Sequence, residues 1–235
     1  MTSSNGRYNL MELMVYVASH QLEDGRTAVI GTGMPLAAAM LARTYKLTRN
    51  DEYREVARKA VEYTCTRQLA DGSWYYGEDP KYHWIDNFHT GYNLDALKCY
   101  IESTNDATYE NNLKQGFQFF INNFFESTGR PKYYHDRTYP IDSQCSSQAI
   151  ETLANFSDYD ESSLDLAVKV AGWAIKNMQD RTGYFYFMRY PLITLKVPMI
   201  HWGQGTMFKA LALLLSRMAK KKETSDKAEG GIKWA

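Results

Sequence analysis

The chain has no surplus of charge of either sign. Its 27 lysines and arginines are matched by 27 aspartates and glutamates, so it lacks the electrostatic footprint that draws a protein to nucleic acid or to an anionic membrane. Cysteine is scarce: Cys65, Cys99 and Cys145 are odd in number and carry no paired spacing, which excludes a disulfide scaffold and makes a reducing, cytoplasmic compartment the expectation. Long hydrophobic runs are missing as well. The longest apolar stretch, "MFKALALLLSRM", is interrupted by Lys209 and falls well short of the roughly 20 residues a membrane span needs, and no basic-led apolar segment with a cleavage site opens the chain. Neither nucleic acid nor membrane is expected as a partner. The phosphate loop G-x-x-x-x-G-K-[ST], the dinucleotide G-x-G-x-x-G, H-E-x-x-H and G-x-S-x-G are all absent, and "GTGMP" is too short to cradle a phosphate. No cofactor is expected.

Aromatic residues are the compositional excess, at 14% with 18 tyrosines, and they recur in a pattern. The stretches "ARKAVEYTCTRQLADGSWYY", "LKQGFQFFINNFFESTGRPKYY" and "AVKVAGWAIKNMQDRTGYFYF" each run from an amphipathic segment through a glycine turn into aromatics. Their glycines, Gly72, Gly129 and Gly183, are spaced 57 and 54 residues apart. Polar turns carrying Asp51, Asp106 and Asp160 precede the three runs at spacings of 55 and 54, where an acid can cap a helix N-terminus. Tyr53, Val56, Ala57, Ala60, Val61 and Thr64 follow a 3.6-residue period, the mark of a helix with one buried stripe. The companion segments "HTGYNLDALKCYIES", "SQCSSQAIETLANF" and "HWGQGTMFKALALLL" are less sharply two-faced, as expected of helices packed on several sides. Each unit reads as a helix-loop-helix hairpin of about 55 residues stacked on its neighbours. The predicted fold is all-α.

On these residues a resemblance appears. Gln68 to Trp74, Q-x-x-D-G-S-W after a helix, resembles the glutamine-tryptophan repeat of terpene cyclase and prenyltransferase toroids, and the rhythm of residues 37 to 220 is similar to that of six-hairpin glycosidase-like (α/α) toroids. The motifs "GSWYYGEDP" and "WIDNFHTGY" most resemble toroid proteins of bacterial polysaccharide biosynthesis clusters. Such toroids have six hairpins. This chain carries three clear ones and part of a fourth, so the resemblance implies a partial toroid over residues 36–220, flanked by an atypical segment, 1–35, and a charged flexible tail, 221–235. Residues 7 to 42 also resemble the opening of glutaconate-type CoA-transferase β subunits, but nothing downstream continues that family; a worn copy of the hairpin turn, "HQLEDGR" against "RQLADGS", is the other reading of this stretch.

Aligning the openings of the inner helices matches Ile85-Asp86, Ile141-Asp142 and Ile200-His201. In the toroids such positions line one end of a central cavity, and helix N-termini favour anionic or hydroxyl-rich ligands. Glycoside hydrolysis needs one protonated and one ionised carboxyl group, and Asp86 and Asp142 are the only acids at equivalent openings. Simple N-capping explains an aspartate there equally well. His89, one helical turn after Asp86, and His201 are candidate bases for lyase or epimerase chemistry. Trp84 and Trp202, which do not recur, are candidates to stack on a sugar face, with Asn87, Tyr92 and Gln144 beside the openings and with Arg189 and Tyr190 placed to hold a carboxylate. Trp74, Tyr75 and Tyr76 recur in kind after each glycine and read as seams between hairpins. The expectation is a carbohydrate-active or carbohydrate-binding protein, hydrolase, lyase or epimerase, with an oligosaccharide or polysaccharide as partner. A non-catalytic scaffold of the same fold is the alternative. Asp142, Cys145 and His201 leave a lesser one, a prenyltransferase-like zinc site, although the D-x-x-C spacing departs from that family's D-x-C.

Overall fold

The computed structural model describes residues 33–230; the readings placed on residues 1–32, the CoA-transferase-like opening and "HQLEDGR" among them, lie outside the described residues. The described residues form seven α-helices: α1 (Gly33–Thr48), α2 (Asp51–Thr66), α3 (Asn87–Thr104), α4 (Glu110–Asn123), α5 (Ser143–Asn155), α6 (Glu161–Met178) and α7 (Thr206–Gly230). Three two-residue strands, β1 (Ile141–Asp142), β2 (Met188–Arg189) and β3 (Thr194–Leu195), form one antiparallel sheet in that order. The all-α hairpin fold is therefore present. The chain divides into two compact units, Met1–Trp84 with Tyr92–Phe119, and Ile85–Gly91 with Phe120–Ala235.

In the first unit α1 lies along α2. The buried stripe of α2 is the one its periodicity predicts, Ala57, Ala60 and Val61, and the small residues allow close approach. The cap of α2 is Asn50, whose side chain accepts from the Glu52 amide, while Asp51 is already inside the helix; of the three acids read as caps, Asp106 and Asp160 do accept from the residue two positions on. After α2 the chain turns at Gly72, whose φ of +90° is open to glycine and strained for other residues. A side chain there would also meet the Gln115 carbonyl oxygen at 2.4 Å. Gln68 clips this turn to α4: its amide donates to the carbonyls of Gly72 and Asn112, both at 2.9 Å, and its oxygen accepts from Asn112 at 2.7 Å. Trp74, 4% exposed, donates its indole N–H to the Thr64 carbonyl and lies against Gly116. The glutamine and the tryptophan of the motif thus fasten α2 and its turn to α4.

In the second unit α5 is buried almost all round, with Cys145, Ala149, Ile150, Leu153 and Phe156 fully enclosed by α6, α7 and neighbouring loops. Full burial of each such aliphatic or aromatic side chain is worth about 1.5–3 kcal/mol. The turn device returns at Gly129 (φ +81°) and Gly183 (φ +104°), and Gln179 donates to the Gly183 carbonyl at 2.8 Å as Gln68 does to Gly72. Two residues after each turn glycine stands a buried side chain: Trp74, Pro131 and Phe185. The seam position therefore recurs, but the second hairpin fills it with proline instead of an aromatic. Helix α7 runs on to Gly230, ten residues into the stretch read as a tail.

Candidate active site

Asp86 and Asp142 sit on the same local design. Each ends a short extended segment anchored by a buried isoleucine, Ile85 at 6% and Ile141 at 0% exposure, and each then starts a helix. Ile85 and Asp86 pair with the chain at 133–135: Asp86 bridges Tyr134, the Asn87 amide donates to the Tyr133 carbonyl at 2.9 Å, and the His135 amide donates to Ile85 at 3.3 Å. Ile141 and Asp142 pair in the same way with Arg189 and Met188. Asp86 accepts from the His89 amide at 2.8 Å, and Asp142 from the Cys145 amide at 2.6 Å. Both aspartates are caps, as one reading of the sequence held.

They are also buried, at 2% and 5% exposure, and a cap has no need of that. Burial of a carboxylate disfavours its charge. Desolvation, with a contribution from the nearby Asp86 charge, pushes the Asp142 carboxyl up to about 6 against the pull of hydrogen bonds from Cys145. Asp86 is engaged differently: His89 Nδ1 lies 2.9 Å and 2.8 Å from its two oxygens, which fixes the imidazole and leaves Nε2 as its other polar edge. Burial and the charge of Asp142 hold the Cys145 thiol protonated, well above its usual range. Burial also raises the Tyr133 phenol, with Cys145, Asp142 and Asp86 contributing. Asp142 with its raised carboxyl group, the Asp86–His89 pair and the Tyr133 phenol thus gather in one unit.

The remaining candidates are placed as follows. His201 belongs to a π-helical turn, Ile200–Gly205, and stacks on Trp202 at 4.7 Å with 8° between the planes. Ile200 is 81% exposed, so the third opening lacks the buried anchor of the other two. Trp202 keeps 43% of its surface in solvent. Among the described residues no group of three His, Cys, Asp or Glu side chains is arranged to hold a metal ion; Asp142, Cys145 and His201 are not such a group. Arg189 directs its guanidinium to the Asn177 carbonyl and side chain, at 3.4 and 3.5 Å, so it closes the end of α6. Tyr190 is 40% exposed in the turn between β2 and β3. Asn87 is wholly buried, with neither polar atom of its side chain hydrogen-bonded among the described residues, and Gln144 and Tyr92 are half-buried. Trp84 stacks on Tyr76 at 4.5 Å, with Tyr82 edge-on, inside an aromatic cluster of its own loop. Sequence reasoning missed Tyr133 and Tyr134 as neighbours of Asp86, because their recurrence after Gly129 pointed to packing.

Comparison with known proteins agrees with this architecture. Residues 34–84 match the family model described as Pectic acid lyase, a minor part of the chain. No curated protein sequence matches. Among solved structures, an unsaturated glucuronyl hydrolase specific for heparin superposes with a TM-score of 0.66 at 15% identity, covering 90% of this chain and 63% of that one. An α-1,6-mannanase from a Salegentibacter species gives 0.67 at 14% identity, covering 86% and 63%, and its inactive variant with two aspartates replaced was solved with α-1,6-mannotetrose. A cellobiose 2-epimerase from Bacillus thermoamylovorans gives 0.62 at 11% identity, covering 79% and 58%. The likeness shows that the chain shares the all-α helical-hairpin fold of these structures. The chain spans about 60% of the length of these structures. No helix among the described residues is long and apolar enough to cross a membrane.

Proposed function

We propose that the chain is a carbohydrate-active enzyme that cleaves glycosidic bonds of an oligosaccharide, with Asp142 as proton donor and Asp86, oriented by His89, as the ionised partner. The observation that carries this reading is the unequal pair of buried carboxyl groups at the openings of α3 and α5. Acid–base catalysis needs one carboxyl group that keeps its proton above the ordinary carboxylate range, and burial raises Asp142 to about 6. The other group, Asp86, is held against the imidazole of His89. The fold is shared with a glucuronyl hydrolase, a mannanase and an epimerase, which supports a sugar substrate. A lyase reading is favoured by one observation: both Asp86 oxygens lie at His89 Nδ1. A carboxylate held there orients the imidazole and makes Nε2 the basic atom, the one that would take a proton α to a uronate carboxyl.

The test is a turnover screen of unsaturated glucuronides, pectic acid oligomers, α-1,6-manno-oligosaccharides and cellobiose, with product analysis. Hydrolysis yields new reducing ends without unsaturation, and elimination yields an unsaturated, ultraviolet-absorbing product. Asp142→Asn and Asp86→Asn keep the caps, because asparagine caps about as well as aspartate, and each is expected to abolish turnover in a folded chain. Full activity in either variant makes the residues caps only.

A further inference from the structure

A second feature lies in the first unit, at the C-terminal end of α2, and does not depend on the carboxylate pair. A cavity of about 370 Å³ opens there, within the range of small-molecule sites, about 300–1,000 Å³. One wall is a flat plate in which Tyr75 and His83 stack with ring centroids 4.1 Å apart and 1° between their planes. His83 Nε2 lies 3.0 Å from the Glu78 carbonyl oxygen, which fixes the ring. The lining also holds Tyr63, with the Arg67 guanidinium 4.7 Å from its ring centroid. Glu78 accepts from the Tyr63 hydroxyl at 2.6 Å and pairs with Arg67, and Asn93 brings an amide to the lining.

Packing does not account for the plate. Trp74, the seam residue next door, is 4% exposed, whereas Tyr75 is 40% exposed. A rigid aromatic face turned to solvent beside convergent polar groups is what the C–H face and hydroxyl rim of a pyranose need. The charges select further. Arg67, the C-cap of α2, is paired with Glu78. Held by Glu78 and Tyr63, the guanidinium offers no unpaired cation, which disfavours a carboxylate, while the Glu78 carboxylate suits hydroxyl donors. We infer that this cavity is a second carbohydrate site, which stacks a neutral hexopyranose on the Tyr75–His83 plate and takes its hydroxyls on Glu78 and Asn93.

The experiment uses the full chain carrying Asp142→Asn, so that no probe is turned over, and measures calorimetric affinity for cellotriose, α-1,6-mannotriose and trigalacturonate. At least one neutral trisaccharide is expected to bind, with affinity reduced tenfold or more by Tyr75→Ala, retained by Tyr75→Phe, and lowered several-fold by Glu78→Gln, at an unchanged melting temperature. The inference is overturned if no neutral trisaccharide binds, if Tyr75→Ala leaves the affinity as it was, or if trigalacturonate is the probe that depends on Tyr75. Tyr75-dependent binding in a protein whose wild type turns over no glycan would sink the proposed enzyme activity and leave this site standing. Turnover without Tyr75-dependent binding would do the reverse.

Discussion

Replacing Asp142 by asparagine should stabilise the protein at neutral pH, against the usual consequence of altering a buried polar residue. Asp142 ionises near 3.8 in an unfolded chain and near 6 when buried in the fold. Between those values the folded chain holds a proton that the unfolded chain has released, so stability falls as pH rises from about 4 to about 6 and stays low above that. At roughly 1.36 kcal/mol per tenfold change in proton affinity, the loss is about 3 kcal/mol. The introduced asparagine would carry no charge at any pH and would still accept from the Cys145 amide, so the Asp142→Asn variant escapes the loss and should exceed the wild type by up to about 3 kcal/mol at pH 7, with the difference closing below about pH 4. Urea unfolding followed by circular dichroism at pH 4, 5, 6 and 7.5 measures it. A variant less stable than the wild type at every pH, or a difference that widens toward low pH, would refute the claim that burial holds this carboxyl group protonated.

Trp74→Ala should lower stability by about 3–5 kcal/mol, the range for large aromatic truncations, since it empties the seam against Gly116 and frees the Thr64 carbonyl; an unchanged melting temperature would show the seam to be dispensable. The turn glycines should separate in alanine scanning. Both Gly72→Ala and Gly183→Ala incur the cost of a positive φ, about 1–3 kcal/mol, but only Gly72 faces a carbonyl oxygen at 2.4 Å, while nothing lies within 4 Å of a side chain at Gly183. Thermal melts should therefore rank Gly72→Ala clearly below Gly183→Ala, and equal losses would count against the close approach.

What the sequence made legible was whatever is required locally. Gly72, Gly129 and Gly183 announce the repeat because each occupies a backbone conformation that demands glycine, and the matched positions of Asp86 and Asp142 are visible because each caps the helix that follows. Features that arise from pairing between distant segments were hidden. Strands of two residues leave no alternation to detect, so the backing of Asp142 by Met188 and Arg189, and of Asp86 by Tyr134, emerges only in three dimensions. The choice of Asn50 over Asp51 as cap depends on one residue's extended backbone, and two adjacent polar side chains cannot be told apart by composition. The third opening starts at the N-cap Met199, so His201 lies inside the π-helical turn, stacked on Trp202, and not at the cap position that Asp142 holds.

The aspartates at the openings of α3 and α5 have an evolutionary consequence. Each helps to hold its helix before it serves any ligand, and so a hairpin copied by duplication brings a polar opening residue with it for structural reasons alone. Chemistry built on such an opening would need only to bury an acid that the cap already supplies. A repeat built in this way supplies raw material for an acid–base pair each time it is copied.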